Sequence, residues 1–348
     1  MAAASIPAAA PGEPPLAEAP RIVVVGAGAI GCTVGGRLSA AGHDVTMLGH
    51  RPLPELEGGW TLVDLDGDQA RVQPRLAIEP NVLAAAELVL VCVKSQDTYT
   101  VARTIADHAA RDVRVVSLQN GVRNAARLRE SGRAVVPGMV PFNVVRPAPD
   151  VFRQATEGTI LLGADTSDLA VMLTEAGLPA QTRDEFDGIL WSKLMLNLNN
   201  ALNALSGRPL RDHLQDRDWR RVFAACVDEG LEVMRARGTK PTRIGRVHPR
   251  IVPLVLRLPN WLFERVAAAM LRIDPDARSS TLDALEAGRP SEVDDLNGEV
   301  VREGEWLGVP TPANALVMRE VAKAFETGRS PRMDARLLLD RLRQGASG

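Results

Sequence analysis

Lys193, Asn197 and Asn200 stand at i, i+4 and i+7 in an otherwise largely apolar stretch, Asp187 to Leu205 (DGILWSKLMLNLNNALNAL). On a helix this spacing puts all three on one face. A lysine charge is costly to bury without partners, and burial lowers its pKa, which suits a general acid. The competing reading is a lysine that snorkels from the edge of a packed helix. A second group is Gly26-Ala27-Gly28-Ala29-Ile30-Gly31, which follows the apolar run Ile22 to Val25 and leads into a helical pattern reaching about Ala41. Strand, glycine turn and helix together can hold a dinucleotide pyrophosphate. Gly26 permits the turn, Gly28 lets phosphate approach the backbone, and Gly31 lets the helix lie close to the strand. The first helical turn, with Ala29 and Ile30, offers free N–H groups. A glycine turn without a ligand is the alternative.

The elements that position these groups follow in chain order. Asp44 to Leu48 reads as a second strand, and Gly49-His50-Arg51 follows it. No acid stands there for a ribose 2′-hydroxyl, so His50 and Arg51 favour the 2′-phosphate of NADP; an ordinary exposed Arg51 is the alternative. Residues 58 to 76 alternate in polarity around Asp66-Gly67, as a hairpin does. Leu88 to Val93 is a buried-strand pattern ending in Lys94-Ser95-Gln96, and Val113 to Leu118 is another ending in Gln119-Asn120-Gly121. Ligands of open α/β sheets bind at the carboxyl ends of strands, so Lys94 and Asn120 are candidates for cofactor and substrate contact. A solvated Lys94 and a turn-forming Asn120 before Gly121 are the alternatives. Helices over Thr98–Ala110 and Leu169–Ala176, with strand patterns at 134–140 and 158–163, complete an alternation that predicts a doubly wound parallel sheet of the Rossmann type.

Beyond Asp184 only helical patterns remain. They cover Asp216–Arg237, Trp261–Leu271, Ser279–Gly288, Ser291–Leu307 and Ala313–Glu326, with Arg289-Pro290-Ser291-Glu292 as a helix start. His213 and His248 fall in polar connecting segments, and residues 341–348 read as a frayed end. The expected organisation is a disordered Ala- and Pro-rich tail over 1–20, an NADP-binding domain over 21–183 and an all-α substrate and catalytic domain over 184–340.

Bulk properties exclude several classes. The 348 residues carry a net charge of −2, which implies no nucleic-acid partner. Cys32, Cys92 and Cys226 form no CxxC or Cys/His cluster, so no metal site or disulfide framework is expected, and a reducing cytoplasm fits. No apolar run reaches the roughly 18 residues that span a membrane. The tail lacks the basic start of a signal peptide.

Four motifs in order resemble those of the ketopantoate reductases (2-dehydropantoate 2-reductases), whose second domain resembles the helical domain of 6-phosphogluconate dehydrogenase. They are GAGAIG at 26–31, LQNGV at 118–122, WSKLMLN at 191–197 and SSTLDALEAGRPSEVDDLNG at 279–298, and the resemblance covers about 21–328. It implies NADPH-dependent reduction of a 2-oxo acid to a 2-hydroxy acid, foremost ketopantoate to pantoate in pantothenate biosynthesis. Lys193 matches the catalytic lysine. Lys94 and Asn120 match positions lining the cofactor–substrate cleft. Asn197 and Ser280 match substrate-binding residues, with Asn200 on the same helical face as Asn197. Glu292 matches the acid that contacts the substrate hydroxyl, and it joins Lys193 in the catalytic set.

The chain departs from the family pattern at Ala201 and Ala277 and in the apolar segment 250–273. A larger or more apolar 2-oxo acid, or another ketone, is compatible with those departures. The segment 250–273 suits a pocket cover or the interface of a homodimer. Two alternatives remain: a dehydrogenase of the same architecture with a different substrate, and a non-catalytic NADP-binding sensor.

Overall fold

The computed structural model describes residues 20–245, 247–267 and 277–345. The tail expected over 1–20 lies outside them except for Pro20, as does the part of the apolar segment beyond Ala267.

The strands in chain order are β1 (Ile22–Val25), β2 (Val45–Leu48), β3 (Trp60–Val63), β4 (Gln69–Val72), β5 (Arg75–Ala77), β6 (Leu88–Val91), β7 (Arg114–Ser117), β8 (Ala134–Met139), β9 (Val144–Ala148), β10 (Val151–Gln154), β11 (Ile160–Leu162) and β12 (Ala180–Thr182). The main sheet has the order β12-β11-β8-β7-β6-β1-β2-β5. Its centre is parallel throughout, with Ile22 beside both Val45 and Leu88, and Leu88 beside Arg114. Helices cover both faces there, so β1 (IVVV) and β6 (LVLV) are buried at every residue and need no polar alternation. Helices α1 (Ala29–Ala40), α2 (Thr98–His108), α3 (Asn124–Arg129) and α4 (Ser167–Glu175) belong to this half.

The sheet is mixed rather than wholly parallel, because β11 runs antiparallel to β8. Between them the chain leaves to form β9 and β10, which join β3 and β4 in a second sheet of order β4-β3-β10-β9. Sequence periodicity missed β9 and β10. Pro147 and Pro149 break the pattern, and β9 tolerates a proline because it is an edge strand. The second sheet packs on α1. The Trp60 indole donates to the Cys32 carbonyl at 3.0 Å, and a Cβ at Gly36 would stand 3.0 Å from Leu62, Trp60 and Val72.

From Phe186 onward the described chain is helical. The single helix expected over Asp187–Leu205 is α5 (Phe186–Asn197) and α6 (Asn199–Ser206), with only Leu198 between them. Then come α7 (Leu210–Gln215), α8 (Arg217–Ala236), α9 (Val252–Arg257), α10 (Asn260–Val266), α11 (Ser280–Glu286), α12 (Asn297–Leu307), α13 (Pro312–Thr327) and α14 (Ala335–Gly345). The buried stripe of α8, from Trp219 to Met234, is the centre around which α5, α9 and α12 to α14 pack.

Three expectations are corrected here. The helix expected from Ser291 begins only at Asn297. Ser291 Oγ accepts from the Val293 amide at 3.1 Å, Val293–Asp295 form a 3-10 turn, and the backbone of Leu296 is non-helical. Glu292 therefore stands on a turn. The frayed end expected over 341–348 is a helix to Gly345, tied by Arg341 to Glu320 at 2.9 Å. His213 is fully buried in α7 rather than in a polar connection.

No helix among the described residues is long and apolar enough to cross a membrane. Leu338 of α14 is fully buried. Leu338→Ala is expected to lower the unfolding free energy in urea by about 2–4 kcal/mol; an unchanged value would show that α14 is not docked.

Candidate active site

The glycine turn is built by close approach. Gly26 has φ +105°, and a Cβ there would stand 2.9 Å from the Val93 nitrogen. A Cβ at Gly31 would stand 1.9 Å from the Gly26 carbonyl oxygen, so only glycine lets α1 start this close to β1. Gly28 differs. A Cβ there would meet nothing within 4 Å. Its openness has no packing reason, and it leaves room for a ligand. No side chain caps α1, and the amides of Ala29, Ile30 and Gly31 find no acceptor among the described residues. An NAD(P) pyrophosphate fits this cradle: open space, three free donors and the positive end of a helix dipole.

The other residues are placed by the strands. β2, β1, β6, β7 and β8 are parallel neighbours, so their carboxyl ends share one edge. His50 and Arg51 follow β2, Gly26 to Gly31 follow β1, Lys94 follows β6, Asn120 follows β7 and Pro141 follows β8. Four inter-strand steps make this edge roughly 19 Å long. His50 and Arg51 are both exposed. Arg51 donates to the Pro52 carbonyl at 3.3 Å and has no ion pair among the described residues.

Lys94 Nζ crosses to the helical half and donates to the Pro290 carbonyl at 3.1 Å. Burial lowers its pKa, partly offset by the nearby Glu292 carboxylate. Burial raises the pKa of Glu292, and Lys94 opposes that shift. The Glu292 carboxylate takes no hydrogen bond from a described residue. Asn120 is exposed and its side-chain amide has no partner among the described residues, while its carbonyl accepts from Ser95 Oγ at 3.0 Å.

Lys193 is half-buried on α5, with no carboxylate partner among the described residues. Its Nζ donates to the Pro141 carbonyl at 3.4 Å, and burial lowers its pKa to about 8. Asn197 is half-buried one turn on, and Asn200 Nδ2 lies 3.5 Å from Ser280 Oγ. The paired serines divide. Ser279 is buried, donates to the Asn200 carbonyl and caps α11 through the Leu282 amide; Ser280 stays exposed.

The expected residues thus form two groups. Lys94 donates to the carbonyl of Pro290, two residues before Glu292, and feels the Glu292 charge; Asn120 is tied to the same loop through Ser95. Lys193 and Asn197 lie on α5, where Lys193 meets the sheet edge at Pro141, and Asn200 of α6 faces Ser280 at the start of α11. Sequence reasoning missed Pro141, whose contribution is a backbone carbonyl that residue type does not reveal. It also missed Arg123 and Arg127, which reach Glu299 at 2.7 Å and Asp295 at 2.8 Å across the halves.

Other candidates fall away. His213 lies between Ser206 Oγ and Asn199 Oδ1, at 3.1 and 3.0 Å, and burial holds its pKa near about 3. It is a neutral core histidine, unsuited to a catalytic His–Asp pair. Ala201 is 1% exposed, so its methyl is core. The segment around α9 and α10 packs on α8 and leaves Leu254, Trp261 and Val266 exposed. No group of three or more metal-ligating side chains occurs among the described residues.

The family model "Ketopantoate reductase PanE/ApbA" matches residues 22–166, and its C-terminal counterpart matches 185–324. A 2-dehydropantoate 2-reductase of Halobacterium salinarum is 30% identical over 305 residues, covering 84% of this chain and 94% of that protein. One from Caulobacter vibrioides is 29% identical, covering 85% and 96%. The crystal structure of a PanE/ApbA family ketopantoate reductase from Ralstonia eutropha superposes with a TM-score of 0.76 at 32% identity, covering 88% and 99%. A D-mandelate dehydrogenase solved with NADH and anilino(oxo)acetate shares the fold, with a TM-score of 0.74 at 17% identity over 88% of this chain and 99% of that one.

Two glycine substitutions separate packing from ligand space. Gly31→Ala is expected to lower the melting temperature or prevent folding. Gly28→Ala should leave melting unchanged yet weaken dinucleotide binding in a fluorescence titration. Unchanged binding in Gly28→Ala would mean that the open space holds no phosphate.

Proposed function

This chain belongs to the PanE/ApbA ketopantoate reductase family, and we propose that it reduces 2-dehydropantoate, or a closely related 2-oxo acid, to the 2-hydroxy acid with NADPH. It is an oxidoreductase acting on CH–OH groups and a nicotinamide-dependent one. The observation that carries the reading is Lys193: a half-buried lysine with no carboxylate partner among the described residues, whose Nζ meets the Pro141 carbonyl at the sheet edge that also carries the glycine turn.

Gly26, Gly28, Ala29, Ile30 and Gly31 hold the pyrophosphate, and His50 and Arg51 meet the 2′-phosphate. When bound, NADPH supplies the hydride that reaches the carbonyl carbon of the substrate. Lys193, as ammonium, donates a hydrogen bond to the carbonyl oxygen, stabilises the negative charge developing there and gives it the proton. Free of a carboxylate partner, it is not neutralised in advance. Asn120, Asn197, Asn200 and Ser280 offer neutral donors to the substrate carboxylate. Glu292 accepts from the substrate hydroxyl, and Lys94 balances its charge.

The protonated form of Lys193 is the active one. The lysine is fully protonated well below about 8 and loses its proton as pH rises through that value. The rate kcat/KM is therefore expected to be flat at lower pH and to fall tenfold per unit above about 8. Oxidation of NADPH with ketopantoate and a panel of 2-oxo acids tests the reading, and Lys193→Ala should lose at least about 100-fold in kcat. Turnover of another panel member would move the substrate, and no turnover with tight NADPH binding would favour the sensor reading. Arg51→Ala should raise KM for NADPH by about tenfold or more and leave KM for NADH unchanged. Equal loss for both would remove Arg51 from 2′-phosphate recognition.

A further inference from the structure

The Lys94 loop and the Glu292 turn come from opposite halves of the molecule, and Arg127 of α3 touches both supporting segments. Its Nη1 donates to Asp295 Oδ1 at 2.8 Å and lies 3.3 Å from the Ser95 carbonyl. Ser95 directly follows Lys94, and Asp295 is three residues past Glu292. The two side chains are 14% and 15% exposed, so water screens the pair weakly. The Tyr99 ring covers the guanidinium, its centroid 5.3 Å from Cζ.

Behind Ser95 runs a buried network. Ser95 Oγ accepts from Asn124 Nδ2 at 2.8 Å and donates to the Asn120 carbonyl. Thr98 Oγ1 donates to Asn124 Oδ1 at 2.9 Å, and Gln119 Nε2 donates to Thr98 Oγ1 at 2.8 Å and to the Val93 carbonyl at 3.0 Å. This network fixes the loops after β6 and β7 to each other, hence Lys94 to Asn120. Arg127 carries it across to the turn that bears Glu292. The second crossing pair, Arg123–Glu299, acts farther along, inside α12, and Arg123 is 42% exposed.

We propose that Arg127 and Asp295 are a positioning pair for the 2-oxo acid site: they hold the Glu292 turn against the Lys94 loop and thereby set substrate affinity. The proposal rests on reading Lys94 and Glu292 as substrate groups. The pair touches none of the glycine turn, so the pyrophosphate cradle does not depend on it.

The test is a cycle of Arg127→Gln, Asp295→Asn and the double variant. Each single change is expected to raise KM for the 2-oxo acid about tenfold, with the double no worse than the worse single. The change in kcat should stay under about threefold, because no group acting only in the transition state is lost. The Kd for NADPH should not move. Multiplying KM defects, or KM and NADPH affinity falling together, would overturn the proposal, since a general loss of structure does both. Amide hydrogen exchange on the free protein provides a readout without substrate. In Asp295→Asn, residues 93–97 and 290–296 should exchange at least about tenfold faster while residues 22–31 stay unchanged. Unchanged exchange at 290–296 would overturn the pair outright. A wild-type chain that reduces no 2-oxo acid would count against the proposed reaction, and exchange would still decide whether the pair holds the turn.

Discussion

Five adjacent strands, β2, β1, β6, β7 and β8, point the same way, and the candidate site depends on that shared direction. A parallel ladder leaves every carboxyl end on one edge, where the chain must turn into a helix or loop. Arg51, the glycine turn, Lys94, Asn120 and Pro141 are far apart in sequence yet follow these strands at one edge. Antiparallel pairing would have sent alternate groups to the opposite edge. The single reversal, β8 to β11, lies beyond the last strand the site uses.

The helical half answers this edge with two contacts of different kinds. At Pro141 a backbone carbonyl meets Lys193. A carbonyl orients an ammonium without neutralising it, whereas a carboxylate would hold its proton and its charge more firmly. Lys94 and Glu292 lie near enough for their opposite charges to act on each other, and each limits the shift that burial imposes on the other. In the first, burial lowers the Lys193 pKa to about 8 with no opposing charge. In the second, burial raises the pKa of Glu292 and the Lys94 charge opposes that rise. The two lysines thus have different neighbours: Lys193 a backbone carbonyl, Lys94 a carbonyl and a nearby carboxylate charge.

The fold supports these contacts from behind with residues that have no chemical role. Trp60 ties the small sheet to α1 just after the glycine turn. Ser279 and Asn203 hold the start of α11 to α6, so that Ser280 meets Asn200. His213 satisfies Asn199 and Ser206 inside the same core. Buried polar groups of this kind must find partners, and finding them fixes the geometry of exposed neighbours.

The sequence by itself located the glycine turn between strand and helix, the polar residues at the strand ends and the spacing of Lys193, Asn197 and Asn200. Each of those is local: a glycine spacing, a strand followed by polar residues, a helical repeat. It also showed that the second half is helical. Tertiary structure alone decided the rest. The run from Ser291 looked like a helix start, but the Ser291 side chain and the backbone at Leu296 make it a turn, which stands beside Lys94 through the Pro290 carbonyl. β9 was hidden by prolines that an edge strand accepts. Pro141, Arg127 and Asp295 carried no local signal, since their partners lie 52 and 168 residues away in the chain. Periodicity reports which face of an element is buried; which distant atom meets that face is settled only when the halves pack.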